Sequence, residues 1–468
     1  MQNRTLIKDL KNKVGETVTL AGWVDARRDH GKLIFLDLRE ATGKVQMVAL
    51  PNHTEVHQVA ATLRNEWVIK VTGQVNKRPL KMINPDWPNG DLEIEILTLE
   101  ILNEATPPAI PVDSDGWEIG EENRLKFRYL DLRRPRLQKN LRFRHRLIKF
   151  IRDYLSEREF IEVETPILTK TTPEGARDYL VPARLYPGNF YALPQSPQQY
   201  KQLLMVAGVE RYFQIARCFR DEDTRGDRQP EFTQLDLEIA FAAQEEVMRL
   251  NEELLIALVQ KLSPEKKILQ IPFPRLTYRE AMEKYGTDRP DLRPAASAAD
   301  ENKTILAFCW VIDFPFFEKD EKENWIFTHN PFSAPKSEFL ESLIKKEKIG
   351  EIITSQYDIT LNGFEIGGGS LRNHRPENLK SVLEILGHNH NDIQTNFGHM
   401  LQALASGAPP HGGIAWGLDR LISLLANEPN IREVIAFPKT GEGRDLMMNA
   451  PAPATAEQLK ELWLKSLR

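Results

Sequence analysis

Residues 361–374 read Leu-Asn-Gly-Phe-Glu-Ile-Gly-Gly-Gly-Ser-Leu-Arg-Asn-His, which sets a carboxylate, three consecutive glycines, a hydroxyl and a guanidinium within eight positions. Three glycines weaken a strand through lost chain entropy and missing side-chain packing, so a chain that keeps them there needs its backbone to come close to something. A ligand is the natural visitor. Extended backbone over Glu365 to Gly369 puts Glu365 and Gly367 on one face, and Arg372 offers a planar fork for a carboxylate or phosphate. Such a strand can hold a metal-bound nucleotide.

Two more clusters define that ligand. Cys218-Phe-Arg-Asp-Glu-Asp223 and Arg228-Gln-Pro-Glu-Phe-Thr-Gln-Leu-Asp-Leu-Glu238 are apolar-alternating runs joined by a charged, glycine-containing loop, the pattern of a hairpin. In Gly412-Gly-Ile-Ala-Trp-Gly-Leu-Asp-Arg-Leu421, glycines precede an apolar helix start that carries Arg420 about a turn inside it. These clusters resemble the signature motifs of class II aminoacyl-tRNA synthetases, an Arg-x-Glu hairpin and a Gly-Leu-x-Arg helix. The family's interface motif, a helix leading into a strand that ends in proline, matches Phe160 to Pro166. Thr172-Pro-Glu-Gly-Ala176, Gln195-Ser-Pro-Gln-Gln-Tyr-Lys-Gln-Leu-Leu204 and Gly367-Gly-Gly-Ser-Leu-Arg372 narrow the resemblance to the bacterial branch of the aspartyl-tRNA synthetases. It runs over nearly the whole chain in the expected order.

The implied fold class is α+β. An OB-fold barrel of five strands (Thr17 to Asp25, Lys32 to Arg39, Lys44 to Leu50, Trp67 to Val75 and Leu92 to Leu102) occupies residues 1–104. A linker or hinge covers 105–136, and a class II catalytic domain with an antiparallel sheet flanked by helices covers 137–468. The 468 residues, 41% apolar, suffice for two or three real cores. No apolar run approaches the roughly 20 residues of a membrane span, and the polar start is not a secretory signal. A cytoplasmic location without a membrane partner is expected. Cys218 and Cys309 lack the paired spacing of a zinc site or disulfide framework and read as buried packing residues. A net charge of -5 argues against indiscriminate coating of nucleic acid while leaving specific tRNA binding open.

Joining an amino acid to ATP brings two anions together, so cations must crowd the α-phosphate. By the resemblance, Arg220 bridges the reacting carboxylate and α-phosphate, Glu222 accepts from the adenine amino group, and Phe232 stacks on adenine. Arg420 covers the other face or holds the γ-phosphate. Asp221, Gln229, Gly417, Leu418 and Asp419 complete the ATP contacts. Asp358 and Glu365, assisted by Ser370, are the Mg²⁺ ligands, as hard oxygen donors. Arg372 grips the aspartate side chain in bidentate fashion with Lys201 as second cation; Gln198 and Glu174 hold the α-amino end, and His329 senses the amino acid. No protein general base is assigned. In the barrel, Phe35 stacks an anticodon base, with Gln46 and Glu93 reading others; from the residues alone, barrel core is the favoured reading of Phe35. Arg225 is the candidate for the tRNA acceptor end, and the loop Thr169 to Asp178 closes over the aspartate. A homodimer follows from the interface motif, whose helix reads otherwise as ordinary packing. Basic residues in Asn123 to Pro135 either touch the tRNA backbone or belong to a solvated hinge helix.

Several positions depart from the pattern. Bacterial relatives carry an extra domain between the second and third motifs, whereas here an alanine-rich joint near 294–303 runs straight into Thr304-Ile-Leu-Ala-Phe-Cys-Trp-Val-Ile-Asp313. Asn330 replaces a common second histidine and Ala26 a frequent arginine. His30 stands where the family tends to have leucine in enzymes confined to tRNA-Asp and histidine in relaxed forms that also charge tRNA-Asn; a neutral surface change is the alternative. A lysine pocket would need acids where Arg372 and Lys201 supply cations. An asparaginyl enzyme is a nearer rival, and a noncatalytic paralogue would have lost one of these arginines or carboxylates.

Overall fold

The computed structural model describes residues 4–171, 175–224, 226–294 and 303–465. The chain divides into two compact units, Met1–Arg134 and Pro135–Arg468. In the first, strands β1 (Thr17–His30), β2 (Leu33–Glu40), β3 (Gly43–Ala49), β4 (Val68–Lys77) and β5 (Leu92–Asn103) close a barrel in the order β1-β2-β3-β5-β4. The β3–β5 pairing is parallel and the others antiparallel. The first strand extends through Arg27-Arg-Asp-His30 because the short turn at Gly31, with φ +64°, lets β1 pair with β2 down to His30 opposite Leu33. A helix, Thr54–Thr62, follows β3 and was not anticipated. Ile34, Leu36 and Leu38 fill the barrel, so by strand alternation Phe35 and Asp37 face outward. The core alternative for Phe35 is thereby excluded.

Residues 105–134 belong to the same unit as the barrel and bury three of their basic side chains. Arg124, Arg128 and Arg134 converge on the Asp131 carboxylate at 3.1, 2.7 and 2.7 Å, and all four are at most 4% exposed. Burial alone would raise the Asp131 pKa, but the three guanidinium groups hold it below the usual carboxylate range. Neither expectation for this segment holds for these three arginines: they present no cationic face, because one desolvated carboxylate needs them.

In the second unit, Pro135–Ser156 is helical from a proline suited to the first turn, with Leu137, Phe143, Leu147, Ile151 and Leu155 buried at helical spacing. An eight-stranded sheet follows. Its strands are β6 (Ile161–Glu162), β7 (Arg211–Phe219), β8 (Glu231–Ala240), β9 (Arg275–Thr277), β10 (Phe308–Ile312), β11 (Gln356–Leu361), β12 (Phe364–Leu371) and β13 (His411–Gly417), in the order β9-β10-β11-β12-β13-β8-β7-β6. The six central strands are antiparallel, while β9 and β6 add in parallel at the two edges, so the sheet is mixed rather than wholly antiparallel.

The two faces of this sheet differ in kind. Leu235, Leu237, Ile359, Ile414 and Trp416 pack into the main apolar core with residues of Pro135–Ser156, Gln244–Leu262 and Leu418–Ala426. The alternate residues of the same strands (Gln234, Asp236, Glu238, Gln356, Asp358, Ser370) are polar, yet each is at most 8% exposed. A buried polar face has to satisfy itself or a ligand. Both cysteines are buried and neither forms a disulfide, and no helix among the described residues is long and apolar enough to cross a membrane.

Candidate active site

A cavity of about 350 Å³ opens on the polar face, lined among others by Gln198, Lys201, Arg220, Phe232, Asp358, Glu365, Arg372 and Arg420. Residues of the three sequence clusters therefore meet in one place. The glycines explain how. A β-bulge shifts the β11–β12 register between Ile359 and Thr360, so that Asp358 lies opposite Gly368 and Thr360 opposite Glu365. The extra residue breaks the alternation: it is Gly368, not Gly367, that shares the site face with Glu365, and the expected Glu365–Gly367 pairing is wrong. A Cβ on Gly368 would lie 2.7 Å from Asp358 Oδ1, whereas one on Gly367 would meet Trp416 on the apolar side. Gly368→Ala is expected to lower the rate of the activation step at least a hundredfold by displacing Asp358, an effect typical of ångström-scale misplacement. Turnover within threefold of wild type would show that the glycine is not needed for clearance.

At one end of the cavity lies an ionic network that the sequence did not disclose. Lys201 Nζ sits 2.8 Å from Asp236 Oδ2 and 3.2 Å from Glu238 Oε2. Arg372 donates from Nε and Nη2 to the two oxygens of Glu238 at 2.9 and 3.2 Å, from Nη1 to Ser370 Oγ at 2.8 Å, and from Nη2 to the Gly413 carbonyl at 3.3 Å. Its bidentate edge is therefore occupied by Glu238, not free for a ligand as expected. One Nη1–H remains, and one of the three Lys201 protons. Burial alone would raise Glu238, but Arg372 and Lys201 pull it down to about 2. Burial raises Asp236 despite Lys201, and the Tyr212 hydroxyl is its other polar neighbour. The available signal was Asp-Leu-Glu at 236–238: two carboxylates spaced by two in a strand whose other face is apolar.

At the other end, the Arg220 guanidinium lies 5.2 Å over the Phe232 ring; it makes no ion pair among the described residues, and its Nε is buried and unpartnered. Arg420 donates to the Glu365 carbonyl and pairs with Asp227 at 3.2 Å. Glu222 lines the cavity and is held by Arg228 at 3.0 Å. Two other expected ATP contacts, Gln229 and Asp419, also line the cavity but have side chains engaged within the protein. Gln229 uses both ends of its amide on the Lys439 backbone, accepting at 2.7 Å and donating at 3.1 Å. Asp419 braces Arg144 and the Thr233 N–H. Asp221 faces a neighbouring cavity beside Arg177. Gly417 lines the cavity, but the Leu418 side chain is in the apolar core, because a helix starting on the last strand residue turns it to the opposite face.

Asp358 accepts from Gln356 Nε2 at 2.6 Å and lies 3.2 Å from His329 Nε2. Burial opposes a charge on His329, but Asp358 outweighs it and raises its pKa. Glu365 is raised by burial and by Asp358. Ser370 Oγ is engaged by Arg372 and Ser333, 2.8 and 2.9 Å away, which removes it from the expected metal set. Glu174 and Arg225 lie outside the described residues.

In the barrel unit, His30 and Phe35 meet edge to face with centroids 5.8 Å apart. Gln46 lies opposite Asp37 on β2 and Glu93 on β5, and donates to Glu93. All four expected anticodon residues thus fall on one stretch of outer barrel surface.

Residues 18–102 match the model of the OB-fold nucleic acid binding domain, and residues 120–441 that of the class II tRNA synthetases (D, K and N). The chain belongs to the class II tRNA synthetases of the D, K and N group. Among its relatives is the aspartate–tRNA(Asp/Asn) ligase of Rubrobacter xylanophilus, 42% identical over 96% of this chain and 94% of that one. The ligase of the same name from Prochlorococcus marinus is 40% identical over 100% and 99%. The Rubrobacter match spans 572 positions against 468 residues here, so that relative has at least a hundred with no counterpart in this chain. The fold is shared with asparaginyl-tRNA synthetase from Pyrococcus horikoshii complexed with asparaginyl-adenylate (TM-score 0.73, 23% identity, 94% of this chain and 99% of that one). It is shared equally with a putative aspartyl-tRNA synthetase from Leishmania major (TM-score 0.75, 21% identity, 94% of each).

Proposed function

We propose that the chain is an aspartate–tRNA ligase: it joins L-aspartate to ATP, releasing pyrophosphate, and passes the aspartyl group to the 3′ end of tRNA-Asp with release of AMP. The observation that carries this reading is the pair of buried cations, Lys201 and Arg372, held on the cavity wall by Asp236 and Glu238. Each retains one donor, enough for the two oxygens of an aspartate side chain. Asparagine would set its own N–H against a donor, a mismatch worth about 10⁴-fold where buried groups go unpaired.

An α-carboxylate oxygen attacks the α-phosphorus as the bond to the bridging oxygen of pyrophosphate breaks. Arg220 lines the same cavity as Lys201 and Arg372, which supports a role for it on both anions, and a held carboxylate needs no base. Phe232, under Arg220, supplies a flat surface for adenine. Asp358 and Glu365 fit a magnesium ion: both line the cavity, the Asp358 charge bears on Glu365, and Glu365 has no ion pair among the described residues. The ion would neutralise phosphate charge there. Aspartate-dependent exchange of pyrophosphate into ATP, without tRNA, tests the assignment. Exchange with asparagine or lysine instead would overturn it.

The outer barrel face of Phe35, Gln46 and Glu93 supports anticodon reading, and His30 beside Phe35 supports tRNA-Asn as a second acceptor; charging of tRNA-Asp alone would remove the second. A cytoplasmic setting accords with two buried cysteines that form no disulfide. A homodimer is supported by β6, an exposed sheet edge, and by Ile161, Ile167 and Leu168, which are 56, 38 and 51% exposed. Ile161→Asp, entering a two-fold interface twice, is expected to weaken self-association at least a hundredfold in sedimentation equilibrium. An unchanged dimer would place the interface elsewhere.

A further inference from the structure

Gln198, 7% exposed, lines the cavity near Lys201, and its amide orientation is dictated from three groups away. His411 Nδ1 lies 2.7 Å from the Pro409 carbonyl oxygen. That oxygen can only accept, so Nδ1 carries the hydrogen. Burial, outweighing Glu238 and aided by Arg372 and His374, lowers the His411 pKa and keeps the ring neutral. Nε2 is then a bare lone pair, and the Gln202 atom facing it at 3.2 Å is Nε2, which donates. Gln202 Oε1 is left to accept from Gln198 Nε2, at 3.1 Å. Gln198 Oε1 remains, with no donor among the described residues. Gln202 and His411 are at most 1% exposed and do not line the cavity.

We infer that His411 and Gln202 are positioning residues that lock Gln198 with its Oε1 toward the α-ammonium group of the substrate. This rests on the aspartate reading above. A flipped Gln198 would set two N–H donors against an ammonium group, and the chain of hydrogen bonds forbids that flip unless Pro409 or His411 changes its role.

Succinate, which is aspartate with hydrogen in place of the α-amino group, isolates this contact. The ratio of aspartate to succinate affinity is measured by calorimetry on the whole protein and three variants. Gln202→Met is expected to cut the preference for aspartate roughly tenfold or more, the worth of a hydrogen bond to a charged group. Gln202→Glu is expected to keep it, since in the protonated acid the carbonyl oxygen still accepts from Gln198 while the O–H donates to the bare Nε2 of His411. A wild-type ratio in Gln202→Met, or an equal loss in Gln202→Glu, would overturn the relay if Gln198→Met itself loses the preference. A wild-type ratio in Gln198→Met would show instead that Gln198 does not hold the ammonium group, and the underlying reading of that residue fails with it.

Discussion

Arg372→Met is expected to lower aspartate-dependent pyrophosphate exchange by roughly 10³-fold or more in kcat/KM and to destabilise the catalytic unit by about 3–5 kcal/mol, the cost of breaking a buried ion pair from one side. Both effects have one origin. Arg372, 3% exposed, makes two hydrogen bonds to Glu238, which is 0% exposed. Methionine fills a similar volume, so the loss is electrostatic rather than a cavity. The folded Glu238 sits at about 2 against an ordinary 4.5. A depressed carboxylate stabilises the fold fully above about 4.5 and loses that contribution as pH falls toward 2. Thermal unfolding of the wild type should therefore decline across that window. The variant should start lower at neutral pH and decline less, because its Glu238 no longer favours the charged form as strongly. Arg372→Lys should fall between the two, keeping the charge without the fork. Equal pH profiles for wild type and Arg372→Met would refute the coupling between Arg372 and Glu238.

Arg220→Ala is expected to divide the two effects. Its guanidinium has no ion pair among the described residues and one buried unpartnered nitrogen, so the fold loses little beyond the contact with Phe232, worth about 1 kcal/mol. Activation should fall by about 10³-fold in kcat, the scale seen when a preorganised cation or donor is removed from developing charge. KM for aspartate should change far less, since Lys201 and the Arg372–Glu238 pair stay in place. Exchange kinetics beside a thermal melt give both numbers. A KM effect with unchanged kcat would reassign Arg220 to ground-state binding.

Local chemistry was legible in the chain itself. The alternation of residues 228–238, the glycine run at 367–369 and the apolar start after Gly417 give the hairpin, the close-approach strand and the helix that the structure contains. Each depends on neighbours within a few positions. The five barrel strands were readable for the same reason, and even the outward turn of Phe35 follows once Ile34 and Leu36 are known to point inward.

Partner choice among charged groups was not. Arg372 and Glu238 are 134 residues apart in sequence, and they meet because β13 lies between β8 and β12. The Arg–Glu match was therefore a matter of strand order, and it turned an arginine expected to grip the substrate with both prongs into one with a single N–H left for it. The same holds for Gln229, whose amide is taken by Lys439, and for the three arginines gathered on Asp131. A single bulge at Ile366 moved the glycine that faces the ligand by one position. Residue type and periodicity decide which groups are available and on which kind of element, because those depend on short-range sterics and solvation. Only the assembled sheet decides which of them satisfy one another in the dry interior and which are left for a substrate.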